Sequence, residues 1–133
     1  MNYFGATINE SSTIAAKAGA ELRDAVFLGV KYNEKGEAVL CGKGEAAIGV
    51  VLPETPAAAA AGDDITVQIK NIGYGRAGGA VSAGAKVAVD ADGKFVTAAA
   101  GDFIVGIAMS AAAKADALFQ IDFCKCGYET AGA

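Results

Sequence analysis

A segment of the chain returns 57 residues after its first appearance. Gly36, Val39, Gly44, Glu45, Ile48, Gly49, Val50 and Leu52 come back as Gly93, Val96, Gly101, Asp102, Val105, Gly106, Ile107 and Met109, in order and with no gap. Two copies are too few for a solenoid, which needs about three or more repeats. They predict instead a pseudo-symmetric β domain built from two similar halves. Each copy reads as strand, turn, strand, loop, strand. Asn33-Glu34-Lys35-Gly36 and Asp90-Ala91-Asp92-Gly93 have the composition of hairpin turns, with glycine where φ must be positive. Gly44 and Gly101 then turn the chain into Ile48–Leu52 and Ile104–Met109, where Gly49 and Gly106 take equivalent places. A glycine inside a strand marks a bend or a close approach of backbone. Downstream, Val67-Gln68-Ile69 is echoed by Phe119-Gln120-Ile121 at an offset of 52, which gives the second copy a connection shorter by five.

Alternation supports the same class. Ile65, Val67 and Ile69 share one face of a strand and Thr66, Gln68 and Lys70 the other; Phe119, Ile121 and Phe123 repeat the pattern near the end. Half-buried strands of this kind suit antiparallel sheets with one wet face. Val and Ile outnumber Leu by 20 to 5, which favours strands. Helix signals are weak: Ser11-Ser12-Thr13 would cap a helix through Ala15–Arg23, but Gly19 interrupts it, and Ala57–Ala61 reads as a loop. The expected fold is mainly all-β, a small antiparallel β-barrel or sandwich. Residues 1–20 are expected to form an extended N-terminal arm, 21–126 the β domain, and 127–133 a flexible C-terminal tail.

Composition narrows function mostly by exclusion. The 133 residues contain no histidine, the commonest general base and metal ligand. A net charge of −4 argues against a nucleic-acid binder, which needs a cationic footprint. No apolar run approaches the roughly 18 residues of a membrane span, and Met1–Thr7 lacks the basic region of a signal peptide. A soluble protein made in the cytoplasm is expected. The three cysteines, Cys41, Cys124 and Cys126, are an odd set and no disulfide framework; they read as small reduced side chains. Were Leu118–Cys126 a strand, Cys124 and Cys126 would share a face at the upper limit of disulfide reach.

Candidate chemistry is sparse. Gly73-Tyr74-Gly75-Arg76-Ala77-Gly78 matches the G-x-G-x-x-G of dinucleotide sites, but Gly79–Gly84 cannot open the helix that such a site requires. A glycine-rich turn between strands is the better expectation. Glu45 and Asp102 hold matching repeat positions and form a conceivable acid/base pair, yet each follows a glycine in an expected turn, where acidic residues are common. Asp63-Asp64 and Asp90/Asp92 lack calcium-loop spacing, and Ser11, Ser12 and Ser82 have no histidine to activate them. No catalytic, cofactor or metal site is expected.

The runs Gly36-Glu37-Ala38-Val39, Gly44–Val50, Ala80–Val87, Asp92-Gly93-Lys94 and Val105–Ala108 resemble phage head-decoration proteins, also called capsid cement proteins. The resemblance covers roughly residues 20 to 123. It implies a structural virion protein of tailed phages, a homotrimer on the capsid exterior that bridges and stabilises the major capsid protein lattice, made in the host cytoplasm, with no nucleic-acid or membrane partner. Tyr3, Phe4 and Ile8 are the expected arm anchors, because aromatic and apolar side chains carry most interface energy. Two alternatives remain. A biotinyl- or lipoyl-like carrier domain also has pseudo-symmetric halves, although neither Lys35 nor Lys94 lies in the hairpin context that a carrier lysine needs. Another virion part, such as a fibre base or tail component, fits as well.

Overall fold

The two copies of the repeat become two sheets of identical strand order. The computed structural model describes residues 11–53, 55 and 58–130. In the first half run β1 (Thr13–Lys17), β2 (Leu22–Arg23), β3 (Gly29–Tyr32), β4 (Ala38–Leu40), β5 (Gly49–Val51), β6 (Ala58–Ala59) and β7 (Asp64–Gln68). The second half holds β8 (Ile72–Arg76), β9 (Lys86–Val89), β10 (Phe95–Thr97), β11 (Phe103–Ile104), β12 (Gly106–Ala108), β13 (Leu118–Asp122) and β14 (Gly127–Tyr128). One five-stranded sheet is ordered β1-β7-β5-β3-β4 and the other β8-β13-β12-β9-β10. Pairing between named strands is antiparallel throughout.

The turns explain why the copies fold alike. The Asn33 side-chain oxygen accepts the N–H groups of Lys35 and Glu37, both at 2.9 Å. Asp90 does the same for Asp92 and Lys94, at 2.8 and 3.1 Å. Gly36 and Gly93 close these turns at φ of 74° and 78°, and Gly44 and Gly101 stand at 69° and 86°. Gly49 and Gly106 meet a different demand: a Cβ on Gly49 would lie 1.8 Å from the Gln68 carbonyl oxygen, and one on Gly106 2.1 Å from that of Asp122. At both points the neighbouring strand's backbone occupies the side-chain position.

Several expectations need correction. Thr13–Lys17 is neither arm nor helix but the outer strand β1, paired with β7 from Thr13↔Gln68 to Lys17↔Asp64. The arm boundary at residue 20 therefore falls inside the first sheet. The G-x-G-x-x-G run is not a turn; Ile72–Arg76 is β8, the counterpart of β1, paired along its length with β13. The echo near the end of each half is also out of register. Gln68 and Asp122 occupy equivalent places beside Thr13 and Ile72, so the true offset is 54, with a connection shorter by three. A slip of two residues keeps every side chain on its face, which is why alternation alone did not reveal it. The tail expected from residue 127 begins with β14, paired with β11 and braced by the Phe103–Tyr128 ring contact at 5.3 Å. Neither sheet closes into a barrel: single bridges, Ala18↔Ala38 and Ala77↔Phe95, join the outer strands at one point only. Tyr3, Phe4 and Ile8 lie outside the described residues.

Two apolar clusters fill the halves, and the second recruits Cys41, Ala47 and Val50 from the first. Backbone bonds cross between the halves, from Gly29 N–H to Gly93 O (2.8 Å) and from Gly44 N–H to Val89 O (2.9 Å). Equivalent core positions hold different volumes. Ala16, Ala38, Ile65 and Val67 in the first half match Gly75, Phe95, Phe119 and Ile121 in the second, all buried. A Cβ on Gly75 would lie 2.4 Å from Ile121 Cδ1 and 2.8 Å from the Phe95 ring, so the glycine makes room for the larger partners. Gly75→Ala is expected to cost about 1–3 kcal/mol, the usual range for overpacking, measured by urea denaturation. Ala16→Gly at the equivalent site loses only a methyl group and is expected to cost about 1 kcal/mol.

Candidate functional site

The acidic pair expected to be structural performs identical local duties. Glu45 accepts the Gly42 N–H and Asp102 the Ala99 N–H, the latter at 3.0 Å, each bracing the turn three residues upstream. Glu45 also pairs with Lys31, and Asp102 lies 3.5 Å from the Lys43 ammonium. The Lys31 hydrogen bond, then the Gly42 N–H, hold the Glu45 carboxyl below its ordinary value. A depressed carboxyl adds stability above its unfolded value, and that stability is lost as pH falls through the folded one. Glu45→Gln is therefore expected to lower stability more at pH 7 than at pH 3. With 39% of the Glu45 side chain exposed, the difference is at most about 1 kcal/mol and shrinks with salt. Thermal melts at the two pH values check this.

Other sequence candidates dissolve into packing. Within the G-x-G-x-x-G run, Gly73 faces the Gln68 carboxamide, Gly75 the core, and Gly78 the Asp90 carboxylate. Asp64 pairs with Lys17 at 2.7 Å, and Asp63 accepts the Ala60 N–H at 2.9 Å. Lys94 is engaged by Asp116 at 2.8 Å. Cys41 is buried, and that burial, with Glu45 nearby, pushes its thiol up to about 12. A shallow groove of about 350 Å3 lined by Gly19, Asn33, Glu34, Lys35 and Glu37 is open and polar, unlike an apolar ligand pocket.

What stands out is an exposed face. Pseudo-symmetry supplies an internal comparison, because each outward position of one sheet has a counterpart on the other. On the first sheet the outward residues of the outer strands are Thr13, Ala15 and Lys17 on β1 and Asp64, Thr66 and Gln68 on β7, while Val50, opposite Gln68 on β5, is buried in the second half's core and Leu52 packs against that core. On the second sheet, β8 presents Ile72 and Tyr74, β13 presents Leu118, and Met109 follows β12. These four are between 47% and 54% exposed. They are also contiguous. Tyr74 sits opposite Gln120, whose carbonyl accepts the Met109 N–H at 2.8 Å, while Ile72 and Ile107 flank Asp122 on either side.

The first half holds this face in place. Phe27, at a φ of 65° that bulky residues rarely adopt, meets the Tyr74 ring edge-on at 5.9 Å. Its N–H donates to Val51 O at 2.7 Å, and its carbonyl accepts the Arg76 N–H at 3.1 Å. The Arg76 guanidinium donates to Val26 O at 2.9 Å. Exposed apolar side chains gathered in one place make this face the candidate contact surface, whereas Tyr32 and Tyr128 are exposed apart from it.

A family model described as phage cement protein matches residues 6–123. The chain belongs to the phage cement proteins. The matched span takes in both sheets and the whole apolar face of this cement protein, and it ends before Cys124. The N base of the head fiber gp8.5 of bacteriophage phi29 has a similar fold, with a TM-score of 0.64 at 16% identity over 88% of this chain and 97% of that one. No curated protein matches the sequence. Membership makes the cement protein a structural component of phage particles that binds the capsid. The four residues of the exposed face were not singled out from sequence. The available signal was Leu118, an apolar residue on the outward side of a strand that otherwise alternates cleanly.

Proposed function

We propose that this cement protein sits on the exterior of a tailed-phage capsid as a homotrimer, bridging major capsid protein subunits and stabilising the shell. The observation that supports the reading is the asymmetry between the sheets. Thr13, Ala15 and Asp64 on β1 and β7 give way to Ile72, Tyr74 and Leu118 on β8 and β13, while Met109 keeps the apolar character of its counterpart Leu52 but is half exposed. Three protomers joined on one lattice point bind multivalently, so individually weak contacts sum to a stable attachment. A component that binds only the assembled shell stabilises it by mass action. The role requires no catalysis, nucleic acid or membrane, and synthesis in the host cytoplasm suits it.

The test is to add the purified protein to capsid shells that lack it and to image them by electron microscopy. Density at regular three-fold sites is the expected result; bare shells together with a monomeric mass in solution overturn the proposal. Tyr3, Phe4 and Ile8 are proposed as anchors that reach the capsid, by strand addition at a sheet edge. Removal of residues 1–10 spares Ser12, whose carbonyl accepts the Ile69 N–H at 2.8 Å. The truncated chain is expected to melt as the full chain does and to bind shells at least about tenfold more weakly. Unchanged shell binding removes the anchors from the proposal.

A second reading, the base of a head fibre, is favoured by the fold match. It also places the chain on the head and differs in requiring a projecting fibre, which the same images reveal.

A further inference from the structure

Cys124 and Cys126 lie beyond β13, which ends at Asp122, and beyond the last residue matched by the family model. Their sulfur atoms are 3.3 Å apart and both side chains are exposed. The intervening backbone creates this proximity. Lys125 adopts a φ of 44°, so the segment is not extended, and the two flanking side chains converge on one side. Three main-chain bonds hold the bend: Cys124 N–H to Asp122 O at 2.9 Å, Lys125 N–H to Val105 O at 3.0 Å, and Cys126 N–H to Ile104 O at 3.0 Å. The Lys125 ammonium is tied separately to the Ile69 carbonyl. Closing the sulfur gap to bond length requires a movement of about 1.3 Å, within reach of side-chain rotation. The bend leads directly into β14.

We propose that Cys124 and Cys126 form a dithiol that closes to an intramolecular disulfide by exchange with a small-molecule disulfide, clamping the start of β14 against Ile104 and Val105. One cysteine thiolate attacks the external disulfide, forms a mixed disulfide and releases one thiol. The second cysteine attacks the protein sulfur of that adduct and releases the other thiol. Two cysteine thiols are oxidised, one external disulfide is reduced to two thiols, and the two cysteine protons go to the released thiolates. The clamp matters under the proposed reading of a capsid-exterior protein, since such a chain is made under reducing conditions and then exposed to an oxidising medium. A disulfide across so short a ring is strained and hence easily reversed, so the dithiol form persists inside the cell.

The test uses the full chain, without shells, equilibrated in reduced or oxidised glutathione, unfolded under acid quench and alkylated. The reduced chain is expected to take three labels, and the oxidised chain one, on Cys41. Trypsin cuts after Lys125 and separates the two cysteines into different peptides, which stay joined only when the disulfide is present. Amide exchange at residues 125–128 is expected to slow about tenfold on oxidation. In Cys126→Ser, exchange should stop at a glutathione adduct on Cys124. Three labels on the oxidised wild-type chain, a persistent glutathione adduct, a link between two chains, or unchanged exchange at 125–128 each overturn the proposal. Shell binding is read separately in both redox states, so its absence bears on the capsid role and leaves the thiol result standing.

Discussion

Gly49→Ala and Gly106→Ala are each expected to destabilise the protein by on the order of 4 kcal/mol or more, at the extreme of single-substitution effects. The added methyl carbon would lie 1.8 Å from the Gln68 carbonyl oxygen in one case and 2.1 Å from that of Asp122 in the other. Both obstacles are backbone in a paired strand, so rotation of a side chain cannot relieve them. The strands must separate, and separation costs Val50↔Gln68 pairing in the first sheet and Ile107↔Asp122 pairing in the second. Gly79, which has open space around its would-be Cβ, is the control, and Gly79→Ala should change stability by less than about 0.5 kcal/mol. Urea and thermal denaturation read all three. A loss below about 1 kcal/mol at Gly49 or Gly106 would mean that the strand spacing adapts more freely than close-packed interiors usually allow.

Tyr74→Asp is expected to weaken shell binding by at least about thirtyfold, the consequence of losing a central aromatic anchor worth roughly 2 kcal/mol and placing a charge in its stead. The tyrosine is about half exposed, and the substitution leaves the Phe95–Ile121 core beneath Gly75 untouched. The melting temperature should therefore fall only a few degrees. Ala15→Asp, at the equivalent position of the first sheet, should bind shells as the unaltered chain does. Sedimentation of shells with bound protein, in parallel with analytical ultracentrifugation of the free protein, separates a lost capsid contact from a lost trimer contact. Equal binding by the Tyr74 and Ala15 variants would show that the apolar face is not the contact surface.

The central part of each half was legible because backbone geometry dictated its residues. Turn glycines at 36 and 93, bend glycines at 44 and 101, and crossing glycines at 49 and 106 leave no freedom to drift, so a 57-residue offset survived there. β1 and β8 were not legible. Their sequences, Thr-Ile-Ala-Ala-Lys and Ile-Gly-Tyr-Gly-Arg, share almost nothing, because the outward residues serve different surroundings and the inward ones trade volume with their neighbours. The register between β7 and β13 was misjudged by two residues because alternation specifies a face and not a partner. The exposed face was not legible because its members come from β8, β13 and the residue after β12, and only the fold brings Ile72, Tyr74, Met109 and Leu118 side by side. The approach of Cys124 to Cys126 was not legible either, because the left-handed turn at Lys125 is a local conformation that no periodicity encodes.

The unequal core volumes of the halves have a consequence for folding fidelity. A duplicated chain risks pairing its own strands in the wrong half, or trading them with another molecule, the characteristic misassembly of repeated sequences. Here the error is penalised sterically. If β1 were to settle in the place of β8, Ala16 would thrust its methyl group where only Gly75 clears Phe95 and Ile121. In the reverse exchange, Gly75 would leave a void beside Ala38 and Val67, two small residues unable to fill it. Each edge strand thus carries a size code for its own sheet, which leaves fewer wrong partners for it to settle against.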